Sequence, residues 1–220
     1  MIPTPALAGF PAVEEEEEDQ TDGRRLRAAR NREAVVTAVL DIIKEQEGGP
    51  IPGAAEVAER AGVSERTVFR HFADLDSLFV AAASRQRPTL LTYLGPRPDF
   101  KELDKRIAAV VKLRSKMYEQ IASVRRVAMR LAARHDSLAR VISEADKAER
   151  QQLAEVFDKE LQKTGRDRQL VLDELELVAG WTTWETLRTQ QGCSPERARR
   201  IMTDLMTATL SRYTGRRAAR

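Results

Sequence analysis

The stretch that decides the fold is AAEVAERAGVSERTVFRHF, residues 54–72. In its first half Ala54, Val57, Ala58 and Ala61 recur at i, i+3, i+4 and i+7, one apolar helical face, while Glu56, Glu59 and Arg60 turn to water. Gly62 ends that helix, because glycine adopts the left-handed conformation of a C-terminal cap without a Cβ clash. Ser64 offers a side-chain oxygen to the free amides of the next turn, and Glu65 suits the positive end of the helix that follows. Val63 and Val68 are placed to seal the corner. Arg66 and Arg70, and Thr67 and His71, are each spaced i, i+4 and project outward as a short basic face. Two helices joined by a short glycine turn set the second one up to enter a DNA major groove. On that face the arginines are suited to reading guanine edges or clamping phosphate, and Thr67 and His71 to donating to phosphate. The same residues also fit an ordinary helical hairpin with a solvated polar face.

Working outward, Val35, Val36, Val39, Leu40, Ile42 and Ile43 line one side of a preceding helix that Gly48-Gly49-Pro50 stops. A fourth helix is expected over about 76–93, and Gly95-Pro96-Arg97-Pro98 breaks the chain after it. Further helices are expected near 99–118, 120–134, 137–164, 168–191 and 195–213, the last entered through Ser194-Pro195. Strand signals are absent. The expected fold class is all-α, with an N-terminal three-helix helix-turn-helix domain and a C-terminal helical ligand-binding and dimerisation domain. Its boundaries divide an acidic tail (1–23), a DNA-binding domain with an arginine arm (24–75), a linking helix (76–94) and the C-terminal domain (95–220).

From about Asn31 to Val80 the chain resembles the TetR family of transcriptional regulators. It carries NREAVVTAVLDIIKEQ, AGVS, TVFRHF and ADLDSLFVAA where that family has an amphipathic first helix, the turn, the reading helix and the link to helix four. The resemblance implies that Thr67 and His71 contact the DNA backbone, that Glu65, Arg66 and Arg70 face bases or phosphates, and that Phe72 is core. Ser64 and Phe69 join the DNA-contacting candidates. Three positions depart from the family pattern. Phe69 replaces a tyrosine and keeps only apolar contact, such as with a thymine methyl. Leu75 stands where a phosphate-binding lysine is frequent. Gly53 opens the second helix where threonine or serine is usual.

The net charge of +3 hides a segregation. Residues 1–23 contain seven acidic side chains and no basic one, in the run AVEEEEEDQTDG, and are expected to be disordered. Arg24, Arg25, Arg27 and Arg30 follow at once, an arm suited to phosphates or a narrow minor groove, or else a solvated helix entrance. An acidic tail beside such an arm is expected to compete with DNA for it.

The last two helices carry apolar surface wider than one stripe, so a second subunit is expected to cover part of it. In the family that the chain resembles these helices pair with their copies; Leu175, Val178, Leu187, Met202, Leu205, Met206 and Thr209 are the candidate homodimer contacts. A two-fold pair would read a palindromic double-stranded operator at half-sites about 34–36 Å apart. The resemblance also implies a cavity for an unknown small, mainly apolar or aromatic effector, with Met117, Tyr118, Val124, Met129, Phe157, Trp181 and Trp184 as candidate walls. The expected function is a ligand-released repressor; the alternative is a helical ligand-binding or scaffolding protein whose helix-turn-helix no longer binds DNA.

Other classes find little support. The two histidines, His71 and His135, lack a nucleophile partner or metal-ligand spacing, so no enzyme, cofactor or metal is expected. The single Cys193 excludes an internal disulfide, and no apolar run approaches the roughly 20 residues of a membrane span; a cytoplasmic location without membrane partner is expected.

Overall fold

The computed structural model describes residues 14–46, 49–95 and 97–214. In chain order its helices are α1 (Glu14–Glu45), α2 (Ala54–Ala61), α3 (Glu65–His71), α4 (Leu75–Ser84), α5 (Arg87–Leu94), α6 (Leu103–Ala132), α7 (Asp136–Val156), α8 (Asp158–Lys163), α9 (Arg168–Ala179), α10 (Trp181–Glu185) and α11 (Pro195–Thr214). A 3₁₀ turn, Gly165–Asp167, leads into α9, and a π turn, Thr186–Gln190, continues α10. Among the described residues there is no strand, and no helix is long and apolar enough to cross a membrane.

Two cores share this scaffold. The first gathers the apolar face of α1 with Val57, Ala58, Val68 and Phe72, then Leu78, Phe79 and Ala82 of α4. It also recruits Val124, Val127 and Ala128 from the end of α6 and Leu138 from α7. The second core fills the space between the first half of α6 and helices α7 to α11, with Ile107, Val110, Tyr118, Leu153, Phe157, Leu175, Trp184 and Met206 among its buried members. The linking helix α4 thus belongs to the first core, and α6 serves both.

The structure differs from the sequence expectations at five joints, each with a physical cause. Helix α1 begins at Glu14, so residues 14–23 are helical where a disordered tail was expected; residues 1–13 of that tail lie outside the described residues. The expected 76–93 helix is split at Arg85-Gln86, because Pro88 in the first turn of α5 has no N–H for the carbonyl four residues back. The two helices expected over 99–118 and 120–134 are one, since Tyr118-Glu119-Gln120 contains no breaker. The 137–164 helix is interrupted at Phe157, whose ring is fully buried in the second core. The 168–191 helix breaks at Gly180, which is extended at φ −82°, ψ 168°. There the hydroxyl of Tyr118 donates to the Ala179 carbonyl at 3.0 Å, replacing a helical partner.

Candidate nucleic-acid interface and adjoining cavity

The turn between α2 and α3 is built as the residue types require. Gly62 is left-handed at φ 66°, its N–H meets the Glu59 carbonyl at 3.1 Å, and the Val63 N–H meets the Ala58 carbonyl at 3.0 Å. These two bonds satisfy carbonyls that a helix end leaves open. Ser64 is extended, and its Oγ accepts from the Thr67 amide at 3.2 Å. Val68 and Phe72 are buried against α1, which fixes the rotation of α3 about its own axis.

That rotation decides what α3 presents. Glu65, Arg66, Phe69 and Arg70 are exposed, and neither arginine is held by a carboxylate among the described residues. Thr67 is half-buried, and its hydroxyl lies 3.0 Å from Ser64 Oγ, so both hydroxyls serve the cap as well as facing the reading surface. His71 is half-buried, with Nε2 enclosed and without a partner among the described residues. Burial, and then the charges of Arg70 and Arg32, push its pKa below the ordinary histidine value, which keeps the ring neutral near pH 7. Leu75, in the place of the family's lysine, packs against the first core.

Arg24, Arg25, Arg27 and Arg30 are all exposed, but on the helix α1 rather than in an extended arm. Arg27 Nε donates to the Gly23 carbonyl one turn back at 3.1 Å. A helix presents these side chains around a cylinder, a geometry suited to phosphates along one flank rather than to a threaded minor-groove contact, which needs extended chain. The residue that sequence reasoning missed is Arg32. Its guanidinium lies 4.9 Å from the Phe72 ring centroid, which brings a further positive charge to the end of α3. Nothing in its spacing marked it, because it comes to α3 only through the packing of α1 on Phe72.

A cavity of about 450 Å³ lies in the C-terminal half between α6, α7, α9 and α10. Met129, Leu177 and Trp181 supply apolar wall, and Asp146, Glu149, Asp173, Glu176 and Arg125 supply charge. Behind it lies a buried ionic network. Arg114 donates to Glu149 Oε2 at 2.7 Å, to the Glu149 carbonyl at 2.5 Å, to Gln152 at 3.2 Å and to the Tyr118 hydroxyl at 3.2 Å. Tyr118 shares its single hydroxyl hydrogen between Glu149 and the Ala179 carbonyl, and Arg125 binds Asp146 and reaches Glu149 at 3.5 Å. Burial raises the Glu149 carboxyl against the opposing charges of Arg114 and Arg125, and burial raises the Tyr118 hydroxyl as well. A second buried pair, Arg106 with Glu160, ties α6 to α8.

Of the seven expected cavity walls, Met129 and Trp181 line this space. Val124 lines a separate apolar slot of about 50 Å³ toward α4 and α5. Met117, Tyr118, Phe157 and Trp184 are packed in the second core, a correction with a plain cause: Tyr118 sits between both tryptophans, edge-on to Trp181 at 5.6 Å and tilted against Trp184 at 6.4 Å, and fills the room. Of the expected dimer contacts, Leu175, Leu187, Met202 and Met206 are likewise buried in this chain's own core, because α9 and α11 turn their widest apolar faces to α6 and α7. Leu205 is exposed, and Val178 and Thr209 are half-buried. Among the described residues no group of three His, Cys, Asp or Glu side chains is placed to hold a metal ion.

Residues 53–82 match the model of the bacterial regulatory proteins of the tetR family. Among solved structures, a transcriptional regulator from Rhodococcus sp. Rha1 shares the fold at TM-score 0.65 and 19% identity, over 83% of this chain and 97% of its own. A tetR-family transcriptional regulator from Streptomyces coelicolor does so at TM-score 0.64 and 18% identity, over 86% of this chain and 84% of its own. The fatty acid degradation regulator FadR from Bacillus halodurans is a more distant likeness, at TM-score 0.52 and 13% identity, over 84% of this chain and 94% of its own. No curated protein matches the chain in sequence.

Proposed function

We infer that this chain is a tetR-family transcriptional regulator that binds a palindromic operator as a homodimer and acts as a repressor that a small molecule releases. The observation that carries the reading is α3 itself: a capped helix, turned by Val68 and Phe72 so that Arg66 and Arg70 stand exposed beside Thr67, His71 and Arg32. Phosphate contacts from α1 and the ends of α3 would set register, and the arginines would read bases.

Dimerisation rests on what the chain leaves uncovered. Leu170 and Leu177 on α9 and Leu205 on α11 are exposed large apolar residues, flanked by the half-buried Val178, Ile201 and Thr209. A second copy of the same surface would cover them, as an isologous interface does.

Release requires a route from cavity to α3. Helix α4 is tied to α1 by the Arg85–Glu33 ion pair and to the turn before α7 by His135 Nδ1 on Asp76 at 2.6 Å. A ligand that favours a conformer with α4 displaced would move the paired reading helices out of step with the groove. Linkage then makes ligand and DNA oppose each other by the same factor.

Gel shift of the wild type on DNA flanking its own gene, across a range of salt, tests this. Arg66→Ala is expected to weaken specific binding by about 1–3 kcal/mol if it reads a base. Absence of any sequence-specific shift would refute the regulatory reading in favour of a helical ligand-binding or scaffolding protein.

A further inference from the structure

We propose that the cavity between α6, α7, α9 and α10 binds an organic cation that has a flat aromatic body and a hydrogen-bond-accepting oxygen, and that this is the effector class; the second clause rests on the regulatory reading above. Four carboxylates face the space, Asp146, Glu149, Asp173 and Glu176, against the one guanidinium of Arg125. Two more arginines stand behind them, Arg114 on Glu149 and Arg150 on Asp173 and Glu176. Counting all seven groups as ionised, one negative charge is left over, so a monocation closes the balance and an anion doubles the conflict.

The uncharged walls set the body of the ligand. Trp181 lines the cavity, its ring already attracting the Arg125 guanidinium at 5.6 Å. Met129 is 43% exposed, apolar area that no described residue covers. A volume of about 450 Å³ suits a ligand of two or three fused rings. The oxygen follows from Arg125, whose side chain is 7% exposed, whose terminal nitrogens hold Asp146 and Glu149, and whose Nε has no acceptor among the described residues. A buried donor without a partner costs free energy until an oxygen reaches it. A hydrocarbon cation would leave that donor unmet, and a carboxylate would meet it at the expense of four like charges.

Arg125 also lines the apolar slot bordered by Ala83, Gln86 and Leu90 at the α4–α5 joint. A ligand that draws the guanidinium toward the cavity therefore repacks the neighbour of α4, which supplies the differential contact that release needs.

Isothermal titration of the full chain at pH 8 tests the inference with three probes of one shape: N-methyl-6-methoxyquinolinium, neutral 6-methoxyquinoline and anionic 6-methoxy-2-naphthoate. The cation is expected to bind at least tenfold more tightly than either of the others. The doubly substituted Asp173→Asn/Glu176→Gln protein, with its local balance reversed in sign, is expected to lose that preference; Asp99→Asn, outside the cavity, is expected to keep it. Equal or tighter binding of the neutral or anionic probe, or no heat with the cation up to millimolar concentration, overturns the site. Gel shift on the same preparations separates the clauses. A cation that binds without weakening the DNA complex overturns the effector assignment alone, and a chain that binds the cation but no DNA overturns the regulatory reading and with it the effector clause, leaving the binding site in place.

Discussion

Replacing Arg114 by methionine tests the buried network at its centre. The guanidinium is 1% exposed, and it makes four hydrogen bonds, two of them to Glu149. Methionine fills a similar length of side chain, so little of the loss comes from a void. What remains is a carboxylate, 4% exposed, held only by Tyr118 and by Arg125 at 3.5 Å. Removing one partner of a buried ion pair costs about 3–5 kcal/mol, since the other is left without compensation. For a chain of this size that corresponds to a fall in Tm of roughly 6–20 °C. Urea unfolding followed by circular dichroism at fixed protein concentration would measure it, a condition that matters for a dimer. The pH dependence gives a second reading of the same idea. Without Arg114 the folded pKa of Glu149, already raised by burial, rises further, so the folded state takes up a proton that the unfolded state does not. Stability from that group falls as pH rises through the folded value, and the penalty of Arg114→Met is therefore larger at pH 8 than at pH 5.5. Converting Glu149 to leucine as well should recover part of the loss, giving a coupling of opposite sign to the single effects. A cost below about 1 kcal/mol for Arg114→Met, or one that does not vary with pH, would refute the account of this network as a buried charge pair.

Three shorter predictions follow from other sites. Gly180→Ala places a Cβ 2.7 Å from the Glu176 carbonyl, so the backbone must shift; a loss of about 1–3 kcal/mol in urea unfolding is expected, and a neutral result would contradict the geometry of the α9–α10 break. His71 is held neutral by burial and by Arg70 and Arg32, whereas a phosphate beside it would favour the charged ring. Affinity for operator DNA should therefore increase as pH falls below about 6.5, and binding isotherms of His71→Gln should show a flatter pH profile. Leu177→Arg/Leu205→Arg should shift the chain toward monomer in analytical ultracentrifugation, because two charges would enter each half of the proposed apolar contact; an unchanged dimer would place the interface elsewhere.

How far the sequence could be read depended on the range of the interactions involved. The α2–α3 corner was legible because its determinants lie within a few residues: the apolar face of α2, a left-handed Gly62 and the Ser64 cap are local properties. The exposure of Arg66 and Arg70 follows from that corner. Helix ends set by distant partners were not legible. The break at Gly180 depends on Tyr118, 61 residues away, taking over the Ala179 carbonyl. The same limit applied to the cavity. Apolar periodicity marks Tyr118 and Trp184 as enclosed, but it does not tell wall from filling, and the arginines of α6 read as a solvated face until α7 brings Glu149 and Asp146 against them. Leu175, Leu187, Met202 and Met206 lie inside the chain's own core for the converse reason: helices with wide apolar surface bury more of it against their own neighbours than a single stripe would.

Helix α6, at 30 residues, runs about 45 Å and is embedded at one end in the core of the DNA-binding half and at the other in the core of the C-terminal half. Neither half can melt without stripping apolar partners from the same rod. Unfolding should therefore proceed as one transition at coincident denaturant concentration whether it is followed from the α3 side or from Trp181 and Trp184. It follows too that a fragment ending before α6, although it would contain every residue of the helix-turn-helix, would expose the patch that Val124, Val127, Ala128 and Leu138 now cover. On the proposed reading, the smallest piece that binds DNA is then not the piece that contacts it.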